Sequence, residues 1–217
     1  MKIDAARALE ALGQELKACS ECELRAGCIA PVGWYGDAAS PLVIVGEGPG
    51  RVEDEYGCPL IGPSGQLLDK ALASVGVTRD RILTTNTVKC RPENNRTPTV
   101  AAAAFCADRW LSLELEIIRP AVVIALGSVA LHYLGSPDKR ITKERGQWFV
   151  GKSGASCITT YHPAYLLRLH GDSLKQAKWQ VHYDLKAAVE KCAEARPDYV
   201  FASEPPPDLF ALFPKRI

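Results

Sequence analysis

Four short runs set the limits on what this chain can fold into: Leu42-Val43-Ile44-Val45, Ile82-Leu83-Thr84-Thr85, Ala121-Val122-Val123-Ile124-Ala125-Leu126 and Cys157-Ile158-Thr159-Thr160. They are rich in β-branched and apolar residues, which is the pattern of strands buried on both faces. Pro41 introduces the first run, and Gly46-Glu47-Gly48-Pro49-Gly50 closes it. The second delivers Asn86, Gly127 stops the third, and the fourth delivers Tyr161-His162-Pro163.

Helical segments separate these runs. Residues 4–18 carry Leu9, Leu12, Leu16 and Cys19 at helical spacing behind Asp4 as a cap. Ser64 is read as the cap of a second helix, with Leu67, Leu68, Ala71, Leu72 and Val75 on its apolar face and Gly76 as its stop. A third runs from Thr97 and Pro98 to Pro120, a short one covers about 128–134, and a last one covers about 173–195. Strands alternating with helices imply an α/β fold, a three-layer αβα sandwich around a central, mainly parallel four-stranded sheet. No internal repeat is visible.

At 217 residues and 47% hydrophobic, the chain has the material for one substantial core. One domain is expected over residues 1–195. Residues 196–217 form a tail with Pro205-Pro206-Pro207 that is expected to pack loosely or stay mobile. The net charge of +1 announces no polyanionic partner, so any nucleic-acid surface must gather its basic residues on one face. Met1-Lys2-Ile3-Asp4 has no apolar run behind it, and no stretch approaches the roughly 20 apolar residues that span a bilayer. A cytosolic protein without membrane contact is expected, and there disulfides are rare.

Eight cysteines then need another explanation. Cys19 and Cys22 form a C-x-x-C pair at a helix end, while Cys90 and Cys106 flank a polar loop that begins at Arg91. Four soft thiolates suit an iron–sulfur cluster or zinc. Cys28, Cys58, Cys157 and Cys192 read as structural, although Cys28 lies near enough to Cys22 to compete as a ligand.

In parallel sheets of this kind, ligands bind at the carboxyl ends of the strands. Glu47, Asn86 and His162 all fall there, so three chemically capable side chains converge by topology alone. A dinucleotide site is excluded, because Gly46-x-Gly48-x-x-Arg51 lacks the third glycine and Pro49 interrupts the turn.

Over residues 8–190 the chain resembles the family 4 (iron–sulfur) uracil-DNA glycosylases. The resemblance is carried by Gly46-Glu47-Gly48-Pro49-Gly50 with Glu53-Asp54, by Gly62-Pro63-Ser64-Gly65-Gln66-Leu67-Leu68 and by Thr85-Asn86-Thr87-Val88-Lys89-Cys90-Arg91-Pro92. It continues through Arg145-Gly146-Gln147-Trp148 and His162-Pro163-Ala164-Tyr165-Leu166-Leu167-Arg168. It implies a [4Fe–4S] cluster on Cys19, Cys22, Cys90 and Cys106, uracil-containing DNA as partner, and a monofunctional glycosylase acting as a monomer.

The resemblance also distributes roles. Asn86 would read the edge of the extruded base with its amide donor and acceptor. His162 would stabilise charge on uracil O2. Glu47 would handle the sugar cation and the attacking water. Gly48 stands where the best-known related glycosylases have Asp, and this leaves the general base open. Glu53 would fill the space beside uracil C5. Leu167 and Arg168 would enter the duplex. Leu60 stands where the family has a stacking Phe, with Tyr56 as a substitute ring. The loop Arg91–Thr97 contains no histidine, so turnover without a stable protein–DNA adduct is expected. The rival reading is a non-catalytic DNA-damage-binding protein with a structural cluster.

Overall fold

The computed structural model describes residues 4–204 and 206–216; Met1–Ile3, Pro205 of the proline run and Ile217 lie outside the described residues. Strands β1 (Tyr35–Gly36), β2 (Leu42–Gly46), β3 (Leu83–Asn86), β4 (Val122–Leu126), β5 (Trp148–Val150) and β6 (Ser156–Thr160) form one sheet in the order β1-β3-β2-β4-β6-β5. The inner four are parallel, and β1 and β5 close the edges antiparallel. The sheet therefore has six strands where four were expected. The additions carry no buried run to betray them: β1 is two residues long, and in β5 Trp148 and Val150 are 40% and 77% exposed.

The helices are α1 (Ala5–Lys17), α2 (Arg51–Tyr56), α3 (Pro63–Ala73), α4 (Val100–Cys106), α5 (Ser112–Ile118), α6 (Gly127–Leu134), α7 (Ile141–Glu144), α8 (Pro163–Leu166), α9 (Gly171–Ala195) and α10 (Leu209–Leu212). Alternation along the strands builds two cores. Val43, Val45, Leu83, Val123 and Ala125 meet residues of α1, α4, α5 and α6. Leu42, Ile44, Ile82, Val122, Ile124, Leu126 and Ile158 meet α3, α8 and α9. Each fully buried aliphatic side chain contributes about 1.5–3 kcal/mol relative to exposure, which makes these two interfaces the main source of stability.

Cap chemistry explains where the helices depart from expectation. Asp4 caps α1 as expected, accepting from Ala6 N at 3.1 Å. The third helix starts at Val100 because Thr99, and not Thr97, accepts from Ala102 N at 3.2 Å, and a π turn at Ala107–Leu111 interrupts it. Gly62 rather than Ser64 precedes α3, with Pro63 in its first turn. The segment after α9 lies against the body instead of packing loosely: Thr78 N donates to Phe201 O at 2.9 Å, and Leu209 is buried with Cys58 and Ile61. No helix among the described residues is long and apolar enough to cross a membrane.

Register decides what meets at the functional edge. Gly46 pairs with Asn86, and Leu126 with Thr160, so the tips of β2, β3, β4 and β6 end level. The chain leaves β2 for β3 on one side and returns to β4 on the other, which opens a crevice at the strand tips beside β2.

Candidate active site

A cavity of about 760 Å³ occupies that edge. Its walls are the turn 47–50, Glu53 and Leu60, the loop from Pro92 to Thr97, Gly127-Ser128, and the segment from Tyr161 to Arg168.

The turn after β2 is zipped to the tip of β3: Thr87 N donates to Gly46 O at 2.9 Å and Val88 N to Glu47 O at 3.0 Å. This holds the Glu47 side chain on the cavity wall. Burial raises its carboxyl above the usual carboxylate range, against a hydrogen bond from Thr97 and the charge of Arg168. Gly48 has a steric cause. A Cβ there would stand 2.6 Å from Val88 Cγ2, so any larger residue requires that side chain to move.

His162 follows β6 and opens α8. Its Nδ1 accepts from Ala164 N at 3.1 Å, which leaves the ring proton on Nε2. Burial and the nearby Arg168 guanidinium lower its pKa to about 4, so the ring is neutral at physiological pH. Gly127, at φ +81°, lets the ring's backbone approach, since a Cβ there would lie 3.0 Å from His162 Cβ.

Asn86 differs from the other two. It ends β3 and is buried, but it is not among the residues of the open wall. A Cβ on Gly46 would lie 2.3 Å from Asn86 Oδ1 and 3.7 Å from Leu60 Cδ2, so the amide packs directly over Gly46 with the leucine nearby. Neither Oδ1 nor Nδ2 has a partner among the described residues. A buried primary amide with neither end matched by the protein has a donor and an acceptor to offer a ligand.

Glu53 lines the cavity through a structural tie. Its two oxygens accept from Gly50 N at 3.1 Å and Gly62 N at 2.8 Å, joining two loops that face the pocket. Asp54, which reads as an exposed loop acid, is buried in α2 and accepts from Ile29 N at 2.9 Å. Leu60 is buried at φ +54°, held in that left-handed conformation by Arg79, whose guanidinium donates to Pro59 O at 2.9 Å and Leu60 O at 3.1 Å. Tyr56 is no substitute ring, because it packs edge-on against Phe210 at 5.1 Å, away from the cavity. The aromatic side chains that do line the cavity are Tyr161 and Tyr165, 4.9 Å apart. Sequence reasoning missed them, although both flank His162 in the motif that carries it. Leu167 is half exposed and Arg168 exposed at the cavity's rim.

Cys19, Cys22 and Cys28 pack, partly buried, against the core that contains Cys90 and Cys106. All eight thiols are free. Burial, opposed by the Lys89 N–H at 3.3 Å from its Sγ, pushes Cys106 up to about 11, and the proximity of Cys22 and Cys19 adds to the rise. A thiol hydrogen bond with Cys28, together with burial, raises Cys90. Clustered buried thiols with a backbone N–H aimed at sulfur match the environment of a metal–thiolate centre. Among the described residues no three His, Cys, Asp or Glu side chains close around one point as a single-ion site requires. Cys58, Cys157 and Cys192 lie apart, each pushed up to about 12 by burial.

Behind Asn86 lies a feature no motif announced. Lys89 and Glu114 are both fully buried, with Lys89 Nζ 2.6 Å from Glu114 Oε1, 2.6 Å from Thr85 Oγ1 and 3.0 Å from Asn86 O.

An α/β sheet with a carboxylate, a neutral imidazole and an unmatched buried amide at its switch edge defines a class that sequence comparison specifies: the Uracil DNA glycosylase superfamily model matches residues 34–186, and the chain belongs to that superfamily. Within it the chain is a member of the type-4 family. It is 39% identical to the Type-4 uracil-DNA glycosylase of Thermotoga maritima over 77% of this chain and 88% of that one. It is 34% identical to the Archaeoglobus fulgidus protein of the same name over 87% and 96%, and 37% identical to that of Pyrobaculum aerophilum over 74% and 85%.

Proposed function

We propose that this chain is a uracil-DNA glycosylase of base excision repair, hydrolysing the bond between uracil N1 and deoxyribose C1′ to leave an abasic site. One observation carries the reading: the buried, unpartnered Asn86 amide lies beside a cavity walled by a neutral imidazole and a carboxylate. A pyrimidine edge offers the acceptor and donor that this amide lacks.

Uracil must leave the duplex to reach the cavity. Leu167 and Arg168, exposed at the rim, fill the gap in the stack and hold the phosphates. Asn86 pairs with the base edge once Leu60 yields access to it. As the C1′–N1 bond breaks, its electron pair moves into the uracil ring, and His162 Nε2–H donates to the developing charge at O2. The deoxyribose cation is stabilised by the Glu47 carboxylate, which also orients the attacking water. The water oxygen bonds C1′, and its proton leaves through Glu47, whose raised pKa suits a base. Gly48 offers no carboxylate at the next position, so Glu47 is the carboxylate of the turn available for this work. Glu53 shapes the wall beside C5 by fixing Gly50 and Gly62 in place.

Cys19, Cys22, Cys90 and Cys106 would hold a [4Fe–4S] cluster, which when bound acts as a rigid cross-link and takes no part in hydrolysis. Cys28 is the alternative ligand. The protein works as a monomer on DNA in the cytosol, where free thiols persist.

The test is incubation with an oligonucleotide containing one uracil, followed by alkali. Scission at the uracil is expected. Binding without scission would identify a non-catalytic damage-binding protein, and an SDS-resistant protein–DNA band would contradict hydrolysis. Leu60→Phe restores a ring against the base, and stacking of about 1–3 kcal/mol predicts a lower KM.

A further inference from the structure

A second hollow, of about 430 Å³, lies between α3, α8 and α9. Its floor is apolar, formed by residues such as Leu67, Leu126, Leu166 and Val181, and no carboxylate lines it. Lys70, Lys175 and Lys178 line it as well, all exposed. Trp179 borders it and is 59% exposed; Tyr183, one turn on, is 61% exposed, and the two rings stack at 5.9 Å and 26°. His182 meets Trp179 edge-on at 5.6 Å, and its Nδ1 lies 2.8 Å from Ser74 Oγ, which ties α9 to α3 across the hollow. Large aromatic faces left in water beside a recessed apolar floor mark an interaction site.

We propose that this groove binds the single-stranded DNA that flanks the damaged nucleotide, its bases on Trp179 and Tyr183 and its phosphates against Lys70, Lys175 and Lys178. The proposal rests on the glycosylase reading above. Two observations select this occupant. The lining charges are all positive, matching a backbone that carries one negative charge per nucleotide, and aromatic faces accept any base. The groove also adjoins the active-site cavity across α8: Tyr161 lines both, with Pro163 and Leu166 on the groove side and Ala164, Tyr165, Leu167 and Arg168 on the cavity side. A helix is about 10 Å across, so a strand leaving the cavity crosses α8 within about three nucleotides.

The full-length protein is tested on two single-stranded substrates, with the uracil flanked on each side by about two nucleotides or by about ten. Trp179→Ala/Tyr183→Ala should raise KM for the long substrate about ten-fold, the loss of one stacked base. KM for the short substrate and kcat on both should not change. Lys70→Glu/Lys175→Glu/Lys178→Glu should raise KM for the long substrate and flatten its salt dependence. A uracil-free oligonucleotide should quench the part of the emission that Trp179→Phe removes. That quenching needs no excision, so it decides the groove even if the glycosylase reading fails. Equal loss on both substrates, no loss on either, or quenching by an acidic apolar peptide and not by DNA would each overturn the proposal, the last in favour of a protein partner.

Discussion

The tips of β3 and β6 carry Asn86 and His162, the two side chains proposed to meet the base, and the fold anchors them differently. Behind Asn86, Lys89 and Glu114 form a dry ion pair, their side chains 1% and 0% exposed, and Lys89 Nζ reaches back to the Asn86 carbonyl at 3.0 Å. Behind His162, Thr160 Oγ1 donates to Asp184 Oδ2 at 2.6 Å, and Arg145 pairs with Asp184 at 2.9 Å while its side chain stays 24% exposed. The amide must present a donor and an acceptor in a fixed orientation, whereas the imidazole needs only to be neutral and aimed. A fully buried pair tolerates one geometry; a pair whose cation reaches solvent tolerates more. Because the Lys89 N–H also points at Cys106 Sγ, the dry anchor links the amide to the thiol layer.

Breaking the dry anchor should have the largest effect. Lys89→Met leaves Glu114 buried without its cation, with only Thr85 donating to it, at a cost of about 3–5 kcal/mol read by urea unfolding. Lys89→Met/Glu114→Leu should recover most of that stability. If the double variant is stable yet binds uracil DNA poorly, the pair positions Asn86 rather than merely filling space. A loss under about 1 kcal/mol, the size seen for surface pairs, would erase the contrast between the two anchors. Next in size, His162→Ala should lower kcat by about 10²–10³, the range for removing one donor to a developing anion. Arg145→Met should destabilise by about 1.5–3 kcal/mol, the range for a hydrogen bond to a charged group, because Asp184 is buried but keeps its bond from Thr160.

The same contrast separates what the chain discloses from what it hides. The central strands are legible because burial on both faces demands unbroken apolar runs, and their carboxyl ends give Glu47, Asn86 and His162. The edge strands are not, since Tyr35–Gly36 and Trp148–Val150 are short and partly exposed. The helix Arg51–Tyr56 looks like a polar loop, yet Glu53 and Asp54 are buried there by hydrogen bonds to distant backbone that no local pattern encodes. Thr97 and Thr99 offer identical cap chemistry, and tertiary packing chooses the second. Lys89 and Glu114 are read as surface charges in any composition argument; only the fold brings them together across 25 residues. Leu60 was legible as a departure from the family, but its left-handed backbone and its place beside the amide were not.

The remaining test is a pH dependence, and it addresses the β6 side alone. His162 falls from an ordinary 6.5 to about 4 in the fold, so between these values the unfolded chain binds a proton that the folded chain refuses. Its contribution to stability is therefore full above 6.5, declines as the pH drops toward 4, and levels off below. Glu47 and Asp184 work the other way: burial raises both, and each favours the fold as the pH falls through its own value. The clean readout is the difference between the wild-type protein and His162→Gln in urea midpoint across that window. The wild type should lose stability relative to the variant as acid is added. In kcat/KM, which reports the free enzyme, no inflection should appear near 6.5. An inflection there would mean a solvated imidazole already charged at mildly acidic pH, and the aimed, neutral donor at the tip of β6 would have to be abandoned while the Asn86 anchor stood.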